Sequence, residues 1–228
     1  MSIEFDFKHE VLLSLGFTFA FGTMFLVSEL IYKRYQLNAE LTRKFIHISC
    51  GCIALLIPIF HPHLATIVAL GTVFSILTWL MLRKGQLPSV HAVDRISIGS
   101  VLYPLGIVAC TIFGLRDNYQ ICFFIPLTTL VFSDTVAAAV GINTPLKKFK
   151  IMGFTKSIGG CLGFFLSSLI IYWGIQMYFL SPLTSSLLIQ QGLIFAALTT
   201  VVEMLSVNGW DDLSVPTISF AILLAFGF

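Results

Sequence analysis

Glu40–Gly51, ELTRKFIHISCG, gathers an acid, two bases and a histidine and then runs straight into apolar sequence, CIALLIPIF. On a helix, Glu40, Arg43, Lys44 and His47 fall at i, i+3, i+4 and i+7, which is one face. That spacing predicts that Glu40 pairs with Lys44, that Arg43 points onward and that His47 sits about one turn deeper. A charged face leading into an apolar helix reads as the water-side mouth of a membrane span. One basic residue at such a place is explained by anchoring to lipid headgroups. Four ionisable groups on one face point to a binding role.

The rest of the chain supports a membrane setting. Of its 228 residues 57% are hydrophobic and 11% charged, against about 25% charged in a soluble domain, and the mean hydropathy is +0.95. Apolar runs long enough to cross a bilayer recur, at roughly 11–32, 45–60, 64–82, 97–115, 120–140, 157–178, 188–206 and 213–228. The second, fourth and last are short. The expected fold is therefore all-α, a polytopic integral membrane bundle of about seven to eight helices forming one domain over 1–228. The net charge of +2 gives no basis for binding nucleic acid. The N-terminus, MSIEFDFKHE, is more acidic than basic, unlike a cleavable signal peptide. The five cysteines lie in or beside apolar segments and read as small buried residues.

The thirteen basic residues are unevenly placed. Lys33, Arg34, Arg43 and Lys44 lie between the first two spans, Arg83, Lys84 and Arg95 between the third and fourth, and Lys147, Lys148, Lys150 and Lys156 between the fifth and sixth. Lys8 and Arg116 fall on the other side. Positively charged loops stay in the cytoplasm, so the odd-numbered connections are expected inside and both termini outside.

Several polar residues share that inner end. Asp134, in FSDTVAAAVG, lies about two turns inside the fifth span. A carboxylate at membrane depth costs on the order of 2.5–3.5 kcal/mol, so it requires a partner, a cation or water. Glu203, in VVEMLSVNG, stands near the inner end of the seventh span, and Asn208, Asp211 and Asp212 follow in a tight turn. Oxygen ligands drawn from separate helices suit Mg²⁺. In KKFKIMGFTKSIGG, Lys147, Lys148 and Lys150 make a basic loop, while Thr155 or Ser157 can cap the next helix beside Lys156. A helix N-terminus with small residues and a lysine is an anion site. No Walker sequence is present. DRISIGSVLYPLG offers Asp94 and Arg95 at the interface, and its Gly99, Tyr103, Pro104 and Gly106 describe a narrow helix able to leave a groove for a lipid chain. His61 and His63 lack further ligands nearby in sequence.

Taken in order, ELTRKFIHISCG, DRISIGSVLYPLG, FSDTVAAAVG, KFKIMGFTKSIGG and VVEMLSVNGWDDLSVP resemble the membrane-embedded lipid-alcohol kinases, among them phytol kinase, dolichol kinase and the CTP-dependent diacylglycerol kinases, which are related to the phosphatidate cytidylyltransferases. The resemblance runs from about residue 40 to the end. It implies transfer of the γ-phosphate of a nucleoside triphosphate, CTP above all, to the hydroxyl of an isoprenoid alcohol such as phytol, geranylgeraniol or a polyprenol, with Mg²⁺, at the cytoplasmic face. It implies Arg43, Lys44, Lys150, Lys156, Ser157 and Asn208 as nucleotide contacts. Asp134, Glu203 and Asp211 are the implied metal ligands, and Asp134, His47 and Lys156 the catalytic groups. Many members carry an acid where this chain has Gly159, and Asp-Asn where it has Asp211–Asp212. CDP-lipid synthesis of the cytidylyltransferase kind and diacylglycerol phosphorylation stay open as alternatives. A transporter would distribute polar residues toward both faces, and here the outer connections are almost bare of charge.

The charge asymmetry is directly testable. Single cysteines introduced beside Arg43, Arg83, Lys147 and Asn208, in a cysteine-free background, should resist an impermeant thiol reagent applied to intact cells. Labelling of any one of them from outside rules out the eight-span arrangement.

Overall fold

The computed structural model describes residues 6–91, 97–114, 120–144, 146–179 and 186–228; Asp94, Arg95 and Arg116 lie outside them. Helix α1 (Phe7–Tyr35) starts where the Asp6 carboxylate accepts from Lys8 N at 3.0 Å and ends at Gln36 in the left-handed conformation. Helix α2 (Ala39–Ala54) starts where the Asn38 side chain accepts from Glu40 N at 2.9 Å. Such side-chain caps satisfy N–H groups that a first helical turn leaves open. The short α3 (Ile57–Phe60) completes the second span. Then follow α4 (Leu64–Arg83), the short α5 (Pro88–His91) and α6 (Gly99–Gly114).

The fifth span is one column built from α7 (Gln120–Thr128), a π-helical turn (Thr129–Ser133) and α8 (Asp134–Asn143). It is the most buried of the long helices, and α1 is the least. Helices α9 (Ile158–Phe179), α10 (Ser186–Leu205) and α11 (Asp211–Ala225) close the bundle.

Six of these helical segments are long and apolar enough to cross a membrane, which makes the protein a multi-pass membrane bundle. The sequence leads to eight spans, and the difference lies in two short helices. At 1.5 Å per residue, α6 and α11 reach only about 22–24 Å against a hydrocarbon core of about 30 Å. They pack on each other inside the bundle. A β-carbon at Gly106 of α6 would overlap the main-chain oxygen of Asp212 in α11, so the glycine permits this backbone approach.

The basic loop contains a structure that the sequence does not announce. Strands β1 (Lys148–Ile151) and β2 (Phe154–Ser157) form an antiparallel hairpin in the register Lys148↔Ser157 to Ile151↔Phe154. It turns at Met152 and Gly153, both with positive φ (49° and 84°), the geometry of a two-residue hairpin turn. The hairpin feeds directly into α9, where Ser157 Oγ accepts from Gly160 N at 3.0 Å. The five cysteines are free, and Cys50, Cys110 and Cys122 are buried as expected, whereas Cys52 is exposed.

Gly106→Ala should force α6 from α11 and cost about 1–3 kcal/mol, read as a fall of roughly 2–4 °C in Tm per kcal/mol for the detergent-purified protein. Gly16→Ala, where a β-carbon meets nothing within 4 Å, should not lower Tm. An unchanged Tm for Gly106→Ala would contradict the close α6–α11 contact.

Candidate active site

Lys44 comes from the first turns of α2 and Asp134 from the first residue of α8. They form an ion pair across the bundle, with the carboxylate buried. Arg43, one residue earlier on α2, is held by Glu40: Nη2 donates to Oε1 at 2.7 Å and Nε to Oε2 at 3.2 Å. The sequence expectation assigns Lys44 to Glu40. The structure joins Glu40 to Arg43 at i, i+3, and Lys44 crosses to a carboxylate ninety positions away. The buried aspartate gains more from the ammonium than Glu40 would, because Arg43 already gives Glu40 two hydrogen bonds.

A second, partly buried pair stands opposite. Lys156 Nζ, at the end of β2, donates to Glu203 Oε1 at 2.6 Å and to the Glu203 carbonyl at 2.9 Å. It ties the hairpin to the inner end of α10. The two pairs border one polar cavity of about 410 Å³, lined by Lys44, Asp134, Lys156, Ser157, Glu203 and Asp211, with Asn208 at its rim. Asn208 is held in the left-handed conformation, and its carbonyl accepts from Ile98 N at 2.8 Å. Seven of the sequence-derived candidates thus face a single space. Lys150 does not line it and is exposed on β1, while Lys148, two residues earlier, does.

Arg43 and His47 border a different space. An apolar groove runs between α1, α2, α4 and α6, lined by Phe21, Phe25, Cys50, Gly71, Phe74 and Ile107 among others, with Arg43, His47 and Asp212 at its polar end. Gly99, Tyr103 and Pro104 of the residues expected at a groove border it, whereas Gly106 packs against the main chain of Asp212 instead.

His47 stands between the two spaces. Its Nε2 donates to the Leu130 carbonyl at 3.0 Å, inside the π turn. π turns disturb the regular helical ladder and collect at functional sites. The Tyr103 ring lies 4.1 Å from the imidazole and its hydroxyl donates to the His47 carbonyl at 2.7 Å. So fixed, the ring faces Asp134 Oδ2 at 3.7 Å by Nε2 and Asp212 Oδ1 at 3.6 Å by Nδ1. One donor atom from each of His47, Asp134 and Asp212 lies within 4.8 Å of the others, which is compact enough to share a cation. Asp134, Glu203 and Asp211, the metal set implied by resemblance, line one cavity, but among the described residues it is the His47 set that converges. Asp212 is the residue that sequence reasoning passed over. Its signal was helical phase: one residue beyond Asp211, about 100° around the helix, it faces the groove where Asp211 faces the cavity.

Comparison with known proteins bears on this arrangement. No family model matches the chain, and no solved structure matches it. The phytol kinase of Synechocystis sp. is 30% identical to it over 205 residues, covering 86% of this chain and 83% of the relative. At 30% identity over 86% of its length, the chain belongs to the phytol kinase family.

Proposed function

We propose that this protein is a lipid-alcohol kinase that moves the γ-phosphate of CTP, with Mg²⁺, onto the hydroxyl of phytol or a related isoprenoid alcohol at the cytoplasmic side of the membrane. The observation that carries the reading is the polar cavity within an apolar bundle, where each of two lysines is matched to a carboxylate. Phosphate would take the lysines and a cation the carboxylates. The cavity is lined by three bases, Lys44, Lys148 and Lys156, against four acids, Glu40, Asp134, Glu203 and Asp211. That balance would repel a bare triphosphate, so the nucleotide enters with a divalent cation. Two or more carboxylates from different helices fit Mg²⁺, with water completing its shell; Asp134 and Asp211 are the ligands assigned, with Glu203 behind Lys156.

Bound there, the cation would neutralise charge on the phosphates. The chain's own groups do the positioning: Lys44 and Lys156 hold phosphate oxygens, and Ser157 with the start of α9 adds an anion-favouring helix end. The acceptor oxygen bonds to the γ-phosphorus as the bond to the β,γ-bridging oxygen breaks. The nucleoside diphosphate leaves, and the hydroxyl proton passes to the carboxylate side of the site. Such transfer is mostly positioning and electrostatic stabilisation. The basic connections support the cytoplasmic side, because Lys44, Lys148 and Asn208 lie at the charge-rich end. CTP is taken from the family resemblance, and phytol from the name of the Synechocystis relative.

Two measurements test the proposal. With phytol as acceptor, CTP labelled at the γ-position should pass its label to lipid and leave CDP. Transfer of α-label with release of pyrophosphate would make the protein a cytidylyltransferase instead. Lys44→Ala should raise the apparent KM for nucleotide about ten- to a hundredfold, the loss of one charge-assisted contact of roughly 1.5–3 kcal/mol, with far less change in the KM for alcohol. An unchanged nucleotide KM would remove Lys44 from the phosphate site.

A further inference from the structure

The groove and its polar end have chemistry of their own. Asp212 is buried, 3% exposed. Among the described residues its polar side-chain neighbour is His47 Nδ1 at 3.6 Å, too long for a hydrogen bond. A carboxylate buried without a donor is costly, and here it looks into an apolar space. The basic side chain bordering that space among the described residues is Arg43, and Glu40 already holds its guanidinium in two hydrogen bonds. The groove's end therefore asks for a hydrogen-bond donor and offers little to an anion.

The remainder of the groove fits a single apolar chain. Along α2 and α3 its lining extends from His47 to Ile57, ten residues or about 15 Å of helix, half the roughly 30 Å hydrocarbon core. Phe21 of α1 meets Phe74 of α4 edge to face, 5.4 Å between centroids, and both line the groove. This contact bridges α1 and α4 beside the groove, and its parting would widen the gap between those helices for a chain from the bilayer.

We propose that this groove is the acceptor site: the chain of a neutral lipid alcohol lies between α1, α2, α4 and α6, and its hydroxyl donates to Asp212, across His47 from the cavity. The proposal rests on the lipid-kinase reading and deepens it by assigning the acceptor and its polar contact. It selects an uncharged head. A lipid phosphate would meet the Asp212 carboxylate, and the bordering Arg43 guanidinium is already neutralised by Glu40. An asparagine here would also present an oxygen that accepts from a hydroxyl, so the contact survives Asp212→Asn.

The test is photolabelling of the wild-type protein, which needs no turnover and so can fail independently of the γ-label experiment. The probe is a prenyl alcohol about one leaflet long with a diazirine midway along its chain. The expected adducts fall on groove residues of α1, α4 or α6, such as Phe21, Phe74 or Ile107. Unlabelled phytol should compete, and phosphatidate at equal concentration should not. Adducts confined to the outer faces of α9 and α10, or equal competition by phosphatidate, would overturn the assignment. Asp212→Leu should lower kcat/KM for the alcohol at least tenfold while nucleotide affinity stays within twofold, and Asp212→Asn should retain most of the activity. Loss of nucleotide and cation affinity in Asp212→Leu would make Asp212 a cation ligand and likewise overturn the proposal.

Discussion

The ion pair between Lys44 and Asp134 holds two charges, the carboxylate buried and the ammonium half-buried, at the wall of a cavity inside an apolar bundle. Neither would be stable there alone. Removing one partner of a buried pair typically costs about 3–5 kcal/mol, because the other charge is left uncompensated. The pair therefore fixes the angle and register of α2 against the central α7–α8 column. That register brings His47, one turn further along α2, to the Leu130 carbonyl within the π turn. With His47 fixed, the approach of Tyr103 from α6 and Asp212 from α11 follows from the α6–α11 contact at Gly106. Four helices thus meet at one imidazole because two side chains cannot afford to part.

The consequence is a division of space by chemical character. On one side of His47 lies a polar cavity bordered by paired lysines and carboxylates, and on the other an apolar groove with one carboxylate at its end. A reaction between a polyanion and a membrane alcohol needs both environments a few ångströms apart, as here, where ligand atoms of Asp134 and Asp212 lie within 4.8 Å, yet each must exclude the other's ligand. The helical geometry supplies the separation. Adjacent residues on a helix point about 100° apart, so Lys44 serves the cavity while Arg43 faces the groove, and Asp211 and Asp212 divide in the same way.

Sequence made the membrane bundle legible because long apolar runs and a one-sided charge distribution need no tertiary information. It also gathered most of the cavity, since Lys44, Asp134, Lys156, Glu203 and Asp211 are ionisable groups where a bilayer tolerates few. What it could not supply was pairing. Glu40 has Arg43 at i+3 and Lys44 at i+4, and local spacing cannot tell which leaves for a distant carboxylate. The hairpin is hard to see in the sequence although KFKI and FTKS alternate, because its strands are four residues each and its lysines read as a loop. Lys148 and Lys150 share one face of β1, and only the pairing, which sets Lys148 opposite Ser157 at the α9 end, shows that Lys148 is the one at the cavity.

Helix α1 shows how such a site stays open to lipid without coming apart. It is the least buried long helix, and a helix held along its whole length would bar any approach through its flank. Instead its two buried or half-buried acids tie its ends. Glu10 accepts from His63 N at 3.0 Å and from the Thr66 hydroxyl at 2.6 Å, at the start of α4. Glu29 accepts from Ser89 N at 3.3 Å in α5 and pairs with Lys33 at 3.2 Å. The nineteen residues from Glu10 to Glu29 span about 28 Å of helix, close to the thickness of the hydrocarbon core. Directional bonds therefore sit near the two interfaces, and between them α1 touches the bundle through phenylalanines, Phe17, Phe21 and Phe25, whose contacts carry no directional bond to break. Apolar side chains in a bilayer exchange one hydrocarbon neighbour for another at little net cost, so the middle of α1 can yield to a lipid chain while its ends hold the groove in place.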